Sequence, residues 1–267
     1  MNSRLAERVE LIEQDDRHGA SWLAREAVEA VCEAVQMGED PVALAQRIVR
    51  ARPAMGAIAG ALGRVLVSGR SDEQIMEEAR AVIEGRERAG KAIAVLLSPH
   101  IEGTVMMTHS NSGTVREAVE HTPPQRIICT VSEPGEEGRE LAEALRGNEL
   151  AVDIVDDSDA EHAVGTVDLL LLGADTVFRD GSLVNKVGTS GLAKAAKKAG
   201  VPVIVACEVI KLAPEDPRHP GEERFDLTAP KHIDLFVTEE GELPPLDIAA
   251  LIDRTPFLHD GYALLNA

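Results

Sequence analysis

The spacing of hydrophobic residues divides the chain into a helical first part and a second part in which strands and helices alternate. Over residues 1 to about 97, apolar positions recur three or four residues apart, as they do on one face of a helix. Four helices are predicted, at Ala20–Val35, at Pro41–Arg50, from about Pro53 to Leu66, and from Ser71-Asp72 to about Leu97. The small residues of the third suggest close helix packing, and Pro99 and Gly103 interrupt the pattern. We therefore predict a helical packing or dimerisation domain over residues 1–98.

The second part carries six short apolar runs. They fall at residues 104–108, 126–132, 150–157, 167–173, 201–208 and 234–239, with predicted helices between most of them at Gly113–Glu120, Glu136–Arg146, Asp159–Val164 and Thr189–Ala199. Strands and helices that alternate at this spacing predict a doubly wound parallel sheet. The fold class is thus α/β, with an α/β domain over residues 99–267. Within it Ala213–Pro230, which is rich in proline and charge, is predicted to be a surface loop.

The composition is that of a protein with a sizeable apolar core. Hydrophobic residues make up 44% of the 267 residues and aromatics only 2%, so the core must be built from Ala, Val, Leu and Ile. No apolar stretch reaches the roughly 18 residues that a spanning helix needs, and Met1–Leu11 is too charged for a signal peptide. We therefore expect a cytoplasmic protein. Three widely spaced cysteines, Cys32, Cys129 and Cys207, form neither a metal-binding motif nor a disulfide framework.

The net charge of −19 limits the classes of partner. Direct, non-specific binding to nucleic acid requires a basic surface, which such a chain does not offer. The acidic residues are spread along the chain and are not gathered in a tail. Dispersed acidity is favoured in a salty cytoplasm, where ions screen the self-repulsion. We expect a halophilic source, in which case the charge reflects the environment and not the ligand.

One stretch, Val167–Lys198, combines several features of a ligand-binding site. Its run Leu169–Leu172 is apolar throughout, which predicts a strand buried on both faces. The run ends in Gly173-Ala174-Asp175 and so places a carboxylate at the C-terminal edge of that strand. Ligands bind at this edge in open α/β sheets.

The residues that follow add the features of an anion site. Asn185 and Lys186 lie just before Gly188 and Thr189, where a helix is predicted to begin with Thr189 as its N-cap. The free N–H groups and the positive dipole end of a helix N-terminus attract anions. A phosphate site beside a carboxylate is therefore predicted. The alternative is an ordinary αβ unit in which Asp175 and Lys186 merely pair with each other.

Several motifs follow one another in the order and spacing of a known family. They are HGASWLAREAVEAV (18–31), THSNSG (108–113), GEEGRELAEAL (135–145), GAD (173–175), DGSLVNKVGTSGLAKAAK (180–197), VPVIVACEVIK (201–211) and DLFVTEEGELPP (234–245). This arrangement resembles the family of initiation factor 2B alpha, beta and delta subunits, which also contains ribose-1,5-bisphosphate isomerase and methylthioribose-1-phosphate isomerase. The resemblance covers essentially the whole chain. It implies an archaeal member with a helical N-terminal domain and a Rossmann-like domain that dimerises.

For the isomerases of this family, the resemblance implies a catalytic pair made of the aspartate of GAD and a cysteine in the loop after the first strand. Asp175 matches the aspartate, whereas Ser110 stands where the cysteine would be. A hydroxyl is a much weaker acid than a thiol and is a poor substitute in proton transfer. Similarly, Glu133 stands where an arginine often precedes proline, and this reversal of charge would weaken a site for a doubly phosphorylated sugar.

The resemblance also implies ligand-binding residues. They are Gly19, Ala20, Asn185, Lys186, Gly188 and Thr189, with Arg52 and Arg139 as further candidates for phosphate contacts. The two arginines could equally be ordinary surface residues. The expected ligand is a sugar phosphate or a nucleoside monophosphate, and neither a cofactor nor a metal is implied.

Three functions stay open at this point. The first, which Ser110 and Glu133 favour, is a regulatory, non-catalytic protein of the factor 2B type: a homodimer or dimer-based oligomer whose partner would be a subunit of initiation factor 2. The second, which Asp175, Asn185 and Lys186 favour, is an aldose–ketose isomerase for ribose 1,5-bisphosphate or a related sugar 1-phosphate. The third is a purely structural dimeric module with a vestigial pocket. None of the three involves direct nucleic-acid binding or a membrane.

Overall fold

The computed structural model describes residues 3–15, 18–67, 71–148 and 150–266, and the first part of this described chain contains five helices. They are α1 (Ser3–Gln14), α2 (Ala20–Met37), α3 (Pro41–Ala51), α4 (Gly56–Leu66) and α5 (Asp72–Ile101). The Asp40 carboxylate accepts hydrogen bonds from the first turn of α3. Ser71 and Gln74 form a capping box at the start of α5. Such caps satisfy the N–H groups that a helix start leaves unpaired. The four helices predicted from the sequence are confirmed.

The prediction that Pro99 interrupts the last of these helices is wrong, because α5 continues to Ile101. Proline lacks the N–H group that would bond the carbonyl four residues earlier. Pro99 lies in the final turn, however, so the helix loses a single hydrogen bond there. The Ser98 hydroxyl donates to the Ala94 carbonyl in the same region (3.0 Å). A proline this close to the C-terminus does not end the helix.

The second part is built on a seven-stranded sheet and a smaller four-stranded one. Its described strands are β1 (Val105–Thr108), β2 (Arg126–Thr130), β3 (Val152–Val155), β4 (Leu169–Leu172), β5 (Thr176–Phe178), β6 (Leu183–Lys186), β7 (Val203–Ala206), β8 (Leu212–Ala213), β9 (Phe225–Thr228), β10 (Leu235–Thr238) and β11 (Gly241–Leu243). The large sheet has the order β11-β10-β7-β4-β1-β2-β3, and only the β10–β11 pair is antiparallel. The predicted α/β class with a parallel sheet is confirmed.

The small sheet has the order β8-β5-β6-β9, and it corrects one expectation. Ala213–Pro230 is not only a surface loop, because β9 lies within it and pairs antiparallel with β6. Phe225 is buried against the helical part, with Leu227 packed beside it. This strand has only four residues, and its partner lies some 40 residues earlier in the chain. Because prolines and charged residues surround it, the sequence pattern did not indicate a strand.

Helices cover both faces of the large sheet. They are α6 (Gly113–His121), α7 (Glu137–Arg146), α8 (Asp157–Ala163), α9 (Thr189–Ala199) and α10 (Ile248–Asp253). The last helix, α11 (Pro256–Leu265), packs mainly against α4 of the helical part. One cluster of buried side chains joins the sheet to α6 and α7, and a second joins it to α9 and α10. Ile75 and Val82 of α5 belong to a third cluster inside the helical part, whereas Ile93 and Leu97 of the same helix pack on the sheet. The division into domains at residue 98 stays a prediction. No described helix is long and apolar enough to cross a membrane.

Helix α4 approaches the rest of the chain closely through its glycines. A Cβ atom on Gly60 would lie 1.9 Å from the carbonyl oxygen of Ile210, in the one-turn helix Val209–Lys211. A Cβ atom on Gly63 would lie 2.8 Å from the Cα of Gly261 in α11. Real side-chain atoms do not fit at such distances, so both contacts depend on glycine. The close packing predicted for this helix is confirmed.

The strand order of the large sheet reverses between β1 and β4. Strands β2 and β3 follow β1 toward one edge, whereas β4 lies on the other side of β1 and the later strands continue toward the opposite edge. Strand β1 pairs with β2 on one side and with β4 on the other. At such a switch point the loops after the two neighbouring strands leave a crevice. The two loops also touch, since a Cβ atom on Gly173 after β4 would lie 2.3 Å from the Oγ of Ser112 after β1.

Candidate active site

A cavity of about 590 Å³ lies at this switch point. Its wall is formed by the start of α2, the loops after β1 and β4, the end of β6 and the first turns of α6 and α7. Six residues predicted from the sequence line it, namely Gly19, Ala20, Ser110, Asp175, Asn185 and Lys186. The fold thus brings together residues that lie more than 150 positions apart in the chain.

Asp175 presents its carboxyl group in the cavity wall. Its backbone N–H donates to the carbonyl of Val184 (3.0 Å), which ties the end of β4 to the small sheet. Burial raises the pKa of Asp175 to about 6, although the charges of Lys211 and Arg52 oppose this shift. A carboxyl group with such a pKa can both give and take a proton near neutral pH.

Ser110 has left-handed backbone geometry, with φ of 67°, which is uncommon for a residue other than glycine. Its N–H donates to the Oγ of Ser132 (2.8 Å). The Oγ of Ser132 lies 2.7 Å from the Oγ1 of Thr130, which in turn lies 2.7 Å from Nδ1 of His109. A chain of hydrogen bonds therefore runs from the Ser110 backbone to a buried imidazole.

The donor and the acceptor of each of these hydrogen bonds can be assigned from the far end of the series, at His109. Nε2 of His109 lies 2.8 Å from the carbonyl oxygen of Val187, which can only accept. Nε2 must therefore carry the proton, and Nδ1 accepts from the hydroxyl of Thr130. The hydroxyl of Ser132 is then free to donate to Thr130. Burial lowers the pKa of His109, which agrees with the neutral imidazole that this arrangement requires.

Lys186 is buried, and its Nζ lies 2.8 Å from Oε1 of Glu137 at the start of α7. The alternative in which Lys186 merely pairs with Asp175 is therefore wrong. Asn185 donates to the hydroxyl of Thr189 (3.1 Å). Both side chains are held by protein partners while they line the cavity.

The start of α9 differs from its prediction, because Gly188 and not Thr189 occupies the N-cap position. The hydroxyl of Thr189 instead donates to the carbonyl of Lys186 (2.5 Å). The Asp226 carboxylate accepts from the N–H groups of Gly188 (2.9 Å) and Ser190 (3.1 Å). An anion supplied by β9 thus occupies the helix N-terminus. Neither Gly188 nor Thr189 is among the residues that line the cavity.

The two predicted arginines also lie outside the cavity wall. Arg52 is buried and donates to the backbone carbonyl of Asp15 (2.7 Å), and its charge favours the ionised form of Asp175. Arg139 is exposed, with its Nε 3.2 Å from a carboxylate oxygen of Glu136. Glu133 is exposed as well and is absent from the lining, so the expected reversal of charge does not fall on the cavity wall.

Lys211 is a wall residue that sequence reasoning missed. It is only 3% exposed, and its Nζ lies 2.7 Å from Oε2 of Glu208, which is 2% exposed. Burial alone would lower the pKa of Lys211, but attraction to Glu208 outweighs burial and raises it. The hydroxyls of Ser21 and Thr114 donate to Oε1 of Glu208 (3.3 Å each). The motif VPVIVACEVIK, quoted above for the resemblance, contained this signal.

The charge of the cavity wall is opposite in sign to that of the chain. Among the described residues that line it, five are basic and three are acidic: Arg86, Arg116, Lys186, Lys211 and Arg224 against Glu137, Glu140 and Asp175. The whole sequence has 27 basic and 46 acidic residues. Such a local excess of positive charge favours an anionic ligand.

The fold and cavity define a Rossmann-like α/β protein with a helical N-terminal part and a cavity at the switch point of its sheet. More particularly, the chain belongs to the Initiation factor 2 subunit family, whose family model matches residues 16–219. The resemblance found in the sequence motifs is thereby confirmed.

Two curated relatives and one solved structure illustrate the range of this family. The chain is 29% identical to a ribose 1,5-bisphosphate isomerase of Archaeoglobus fulgidus, over 90% of this chain and 89% of the relative. It is 30% identical to a putative translation initiation factor eIF-2B subunit 2-like protein of Pyrococcus furiosus, over 90% and 96%. The crystal structure of the Pyrococcus horikoshii OT3 translation initiation factor eIF-2B superposes with a TM-score of 0.83 at 26% identity, over 92% of this chain and 98% of that one.

Proposed function

We propose that the protein is an aldose–ketose isomerase acting on ribose 1,5-bisphosphate or a closely related sugar 1-phosphate. The observation that carries the proposal is Asp175, a carboxyl group with a pKa of about 6 in the wall of a basic cavity at the switch point of the sheet. The similarity to a relative named ribose 1,5-bisphosphate isomerase supports the choice of substrate.

The reaction moves the oxidation level of a carbonyl from C1, which is bonded to the ring oxygen and the phosphate oxygen, to C2 without net oxidation. In a sugar phosphorylated on its anomeric oxygen, the ring opens when the bond between C1 and the ring oxygen breaks and that oxygen gains a proton. The hydrogen on C2 then leaves, C1 gains a hydrogen, and the C2 hydroxyl loses its proton as the carbonyl forms. Each proton released is balanced by one taken up. A group that titrates near neutral pH, as Asp175 does, suits both directions of transfer.

The phosphate groups would contact the lysines of the wall. Lys186 is held by Glu137 and Lys211 by Glu208, at 2.8 Å and 2.7 Å. Because each ammonium group is already fixed by a carboxylate, little side-chain entropy is lost when a phosphate binds. Ser110, on the loop after β1, would contribute a hydrogen bond and only weak acid–base help. We therefore expect slow turnover.

The second candidate function is a regulatory, non-catalytic protein of the factor 2B type, acting as a dimer or a dimer-based oligomer with a subunit of initiation factor 2. The observation that favours it is the hydroxyl of Ser110 at the position of the family cysteine. In this case the cavity would bind a sugar phosphate without converting it.

One assay separates the two functions. The purified protein is incubated with ribose 1,5-bisphosphate in high KCl, and ribulose 1,5-bisphosphate is measured. Turnover that is lost in Asp175→Asn and kept in Asp260→Asn, the same change on the exposed face of α11, supports the isomerase. Binding without turnover in the wild type, with turnover appearing in Ser110→Cys, supports the regulatory protein and counts against the first proposal.

A further inference from the structure

Glu208 is a buried carboxylate behind the cavity wall. It comes shortly after β7, which pairs with β4, the strand that Asp175 follows. Glu208 is 2% exposed and is not among the described residues that line the cavity. A buried charge is costly unless partners compensate for it. Its place so close to the site must therefore be explained by the groups that it contacts.

The contacts of Glu208 come from three segments that also build the cavity wall. Its Oε2 lies 2.7 Å from Nζ of Lys211. Its Oε1 accepts hydrogen bonds from Ser21 in α2 and from Thr114 in the first turn of α6, at 3.3 Å each. Helix α2 belongs to the helical part, and α6 begins after the loop that carries Ser110. One carboxylate thus connects both of these helices to the lysine of the wall.

The pair of Glu208 and Lys211 is formed within one turn of the chain. Glu208 occupies the N-cap position of the one-turn helix Val209–Lys211. The backbone N–H of Lys211 donates to the carbonyl of Glu208 (2.9 Å). The same turn therefore fixes the backbone of both partners, and the two hydroxyl groups fix the carboxylate.

The charge of Glu208 acts on Asp175 through Lys211. Attraction to Glu208 outweighs burial and raises the pKa of Lys211, so the lysine keeps its charge. That charge in turn opposes the effect of burial on Asp175, whose pKa of about 6 would be higher without it. Other charged or titratable groups that face these three residues are Arg52, Arg86, Glu117, Cys207, Glu222, Arg224 and Glu239.

We propose that Glu208 is a positioning residue of the isomerase: without contacting the ligand, it keeps Lys211 charged and fixed in the cavity wall and ties this lysine to α2 and α6. The proposal rests on the proposed function for its effect on turnover. Its effect on phosphate binding does not depend on catalysis. Two measurements, one of turnover and one of binding, therefore test it separately.

The first measurement is the pH profile of kcat/KM for ribose 1,5-bisphosphate in Glu208→Gln. Glutamine keeps the size of the side chain and an acceptor for the two hydroxyl groups, but it has no charge. Burial then lowers the pKa of Lys211, and Asp175 loses a neighbouring cation. The midpoint that Asp175 gives to the profile should move upward from about pH 6, by about 1–3 pH units, the effect of an opposite charge nearby. A merely structural role would lower activity without moving the midpoint.

Glu239→Gln is the matched control. Glu239 is a half-buried carboxyl group after β10, the strand next to β7. It accepts from the backbone N–H of Val209 (3.0 Å), which a glutamine can also do, and it is not among the described residues that line the cavity. This variant should keep the midpoint and the KM of the wild type.

The second measurement is the affinity for ribose 5-phosphate, by calorimetry between about pH 7 and about pH 9, where an ordinary lysine stays charged. The affinity of the wild type should stay nearly constant. In Glu208→Gln it should fall by up to about tenfold per pH unit above the lowered pKa of Lys211. Thr114→Val removes one donor to Glu208 and leaves the carboxylate in place. It should weaken binding equally at every pH.

Several results would overturn the proposal. One is a Glu208→Gln variant with the midpoint and the pH dependence of binding of the wild type. Another is an equal upward movement of the midpoint in Glu239→Gln. Unchanged affinity in Thr114→Val would also overturn it, and this result stands even where Glu208→Gln fails to fold. A pH-dependent loss of affinity in Glu208→Gln, with no turnover in any of these proteins, would support the role of Glu208 and count against the isomerase.

Discussion

Nδ1 of His109 lies 2.7 Å from the hydroxyl oxygen of Thr130 and accepts a hydrogen bond from it, so the conformation of the loop after β1, which carries Ser110, depends on a neutral imidazole. Replacing His109 by Phe leaves the hydroxyl of Thr130 without its acceptor and the carbonyl of Val187 without its side-chain donor. We expect a loss of about 1–3 kcal/mol in the free energy of unfolding for each unpaired group, measured by urea denaturation. His162→Phe, on the exposed surface of α8, should change nothing.

The hydrogen bond between His109 and Thr130 also predicts that the free energy of unfolding depends on pH. Burial lowers the pKa of His109 below its ordinary value of about 6.5. As pH falls below that ordinary value, the unfolded chain takes up the proton before the folded one does, so stability is lost. This component should be present in the wild type and absent in His109→Phe. Identical pH profiles of the two proteins would contradict the hydrogen-bond directions inferred here.

Asp175 gives the opposite dependence on pH. Its folded pKa of about 6 lies above the unfolded value, so its ionised form is disfavoured in the fold and stability decreases as pH rises through this interval. Asp175→Asn removes this penalty and should raise the free energy of unfolding by about 1–3 kcal/mol at pH 8, while it abolishes turnover. The gain should vanish near pH 3, where the carboxyl group of Asp175 is protonated in both the folded and the unfolded protein. A variant that is less stable than the wild type at pH 8 would rule out the raised pKa.

Lys211 and Glu208 form a buried ion pair, and breaking one side should cost more than removing both. Lys211→Met leaves the Glu208 carboxylate buried without its cation, which should cost about 3–5 kcal/mol. The double variant Lys211→Met/Glu208→Gln should recover most of this stability. Affinity for ribose 5-phosphate should remain low in both, because the phosphate contact is lost. Recovery of binding in the double variant would contradict a direct role of Lys211.

The Asp226 carboxylate at the start of α9 predicts a change in stability without a change in binding. Asp226→Ala removes bonds to Gly188 and Ser190 and should cost about 0.5–2 kcal/mol, the usual effect of losing a cap. Asp40→Ala, at the start of α3, is the matched comparison. Because Asp226 is outside the cavity lining, affinity for ribose 5-phosphate should stay the same. A marked gain in phosphate affinity would restore the helix N-terminus as the anion site.

The sequence predicted those features that depend on neighbours along the chain. The continuous apolar run Leu169–Leu172 forms an interior strand, buried throughout, because parallel strands have apolar contacts on both faces. Asp175 comes shortly after the end of that strand, so the sequence also predicted its position at the edge of the sheet. The motif resemblance supplied Ser110 and Asn185, both of which line the cavity.

Features that depend on distant parts of the chain could not be predicted in this way. Glu137, the partner of Lys186, is 49 residues away, and Asp226, which caps α9, comes from a strand that resembles a loop in sequence. The Ser110–His109 hydrogen-bond chain requires three strand ends to meet. The periodicity of apolar residues along the sequence carries no information about such contacts between distant segments.

The basic cavity wall has a kinetic consequence in a chain whose net charge is −19. At low salt the distant field of the protein repels an anion, and attraction acts only within the cavity. Added salt screens distant charges before it weakens contacts that are partly buried. The association rate of ribose 5-phosphate should therefore rise with KCl in stopped-flow experiments, whereas an anion steered by a basic surface arrives more slowly as salt increases. A rate that falls from the lowest salt upwards would contradict this. The acidic surface would thus act as a barrier to encounter that high salt removes.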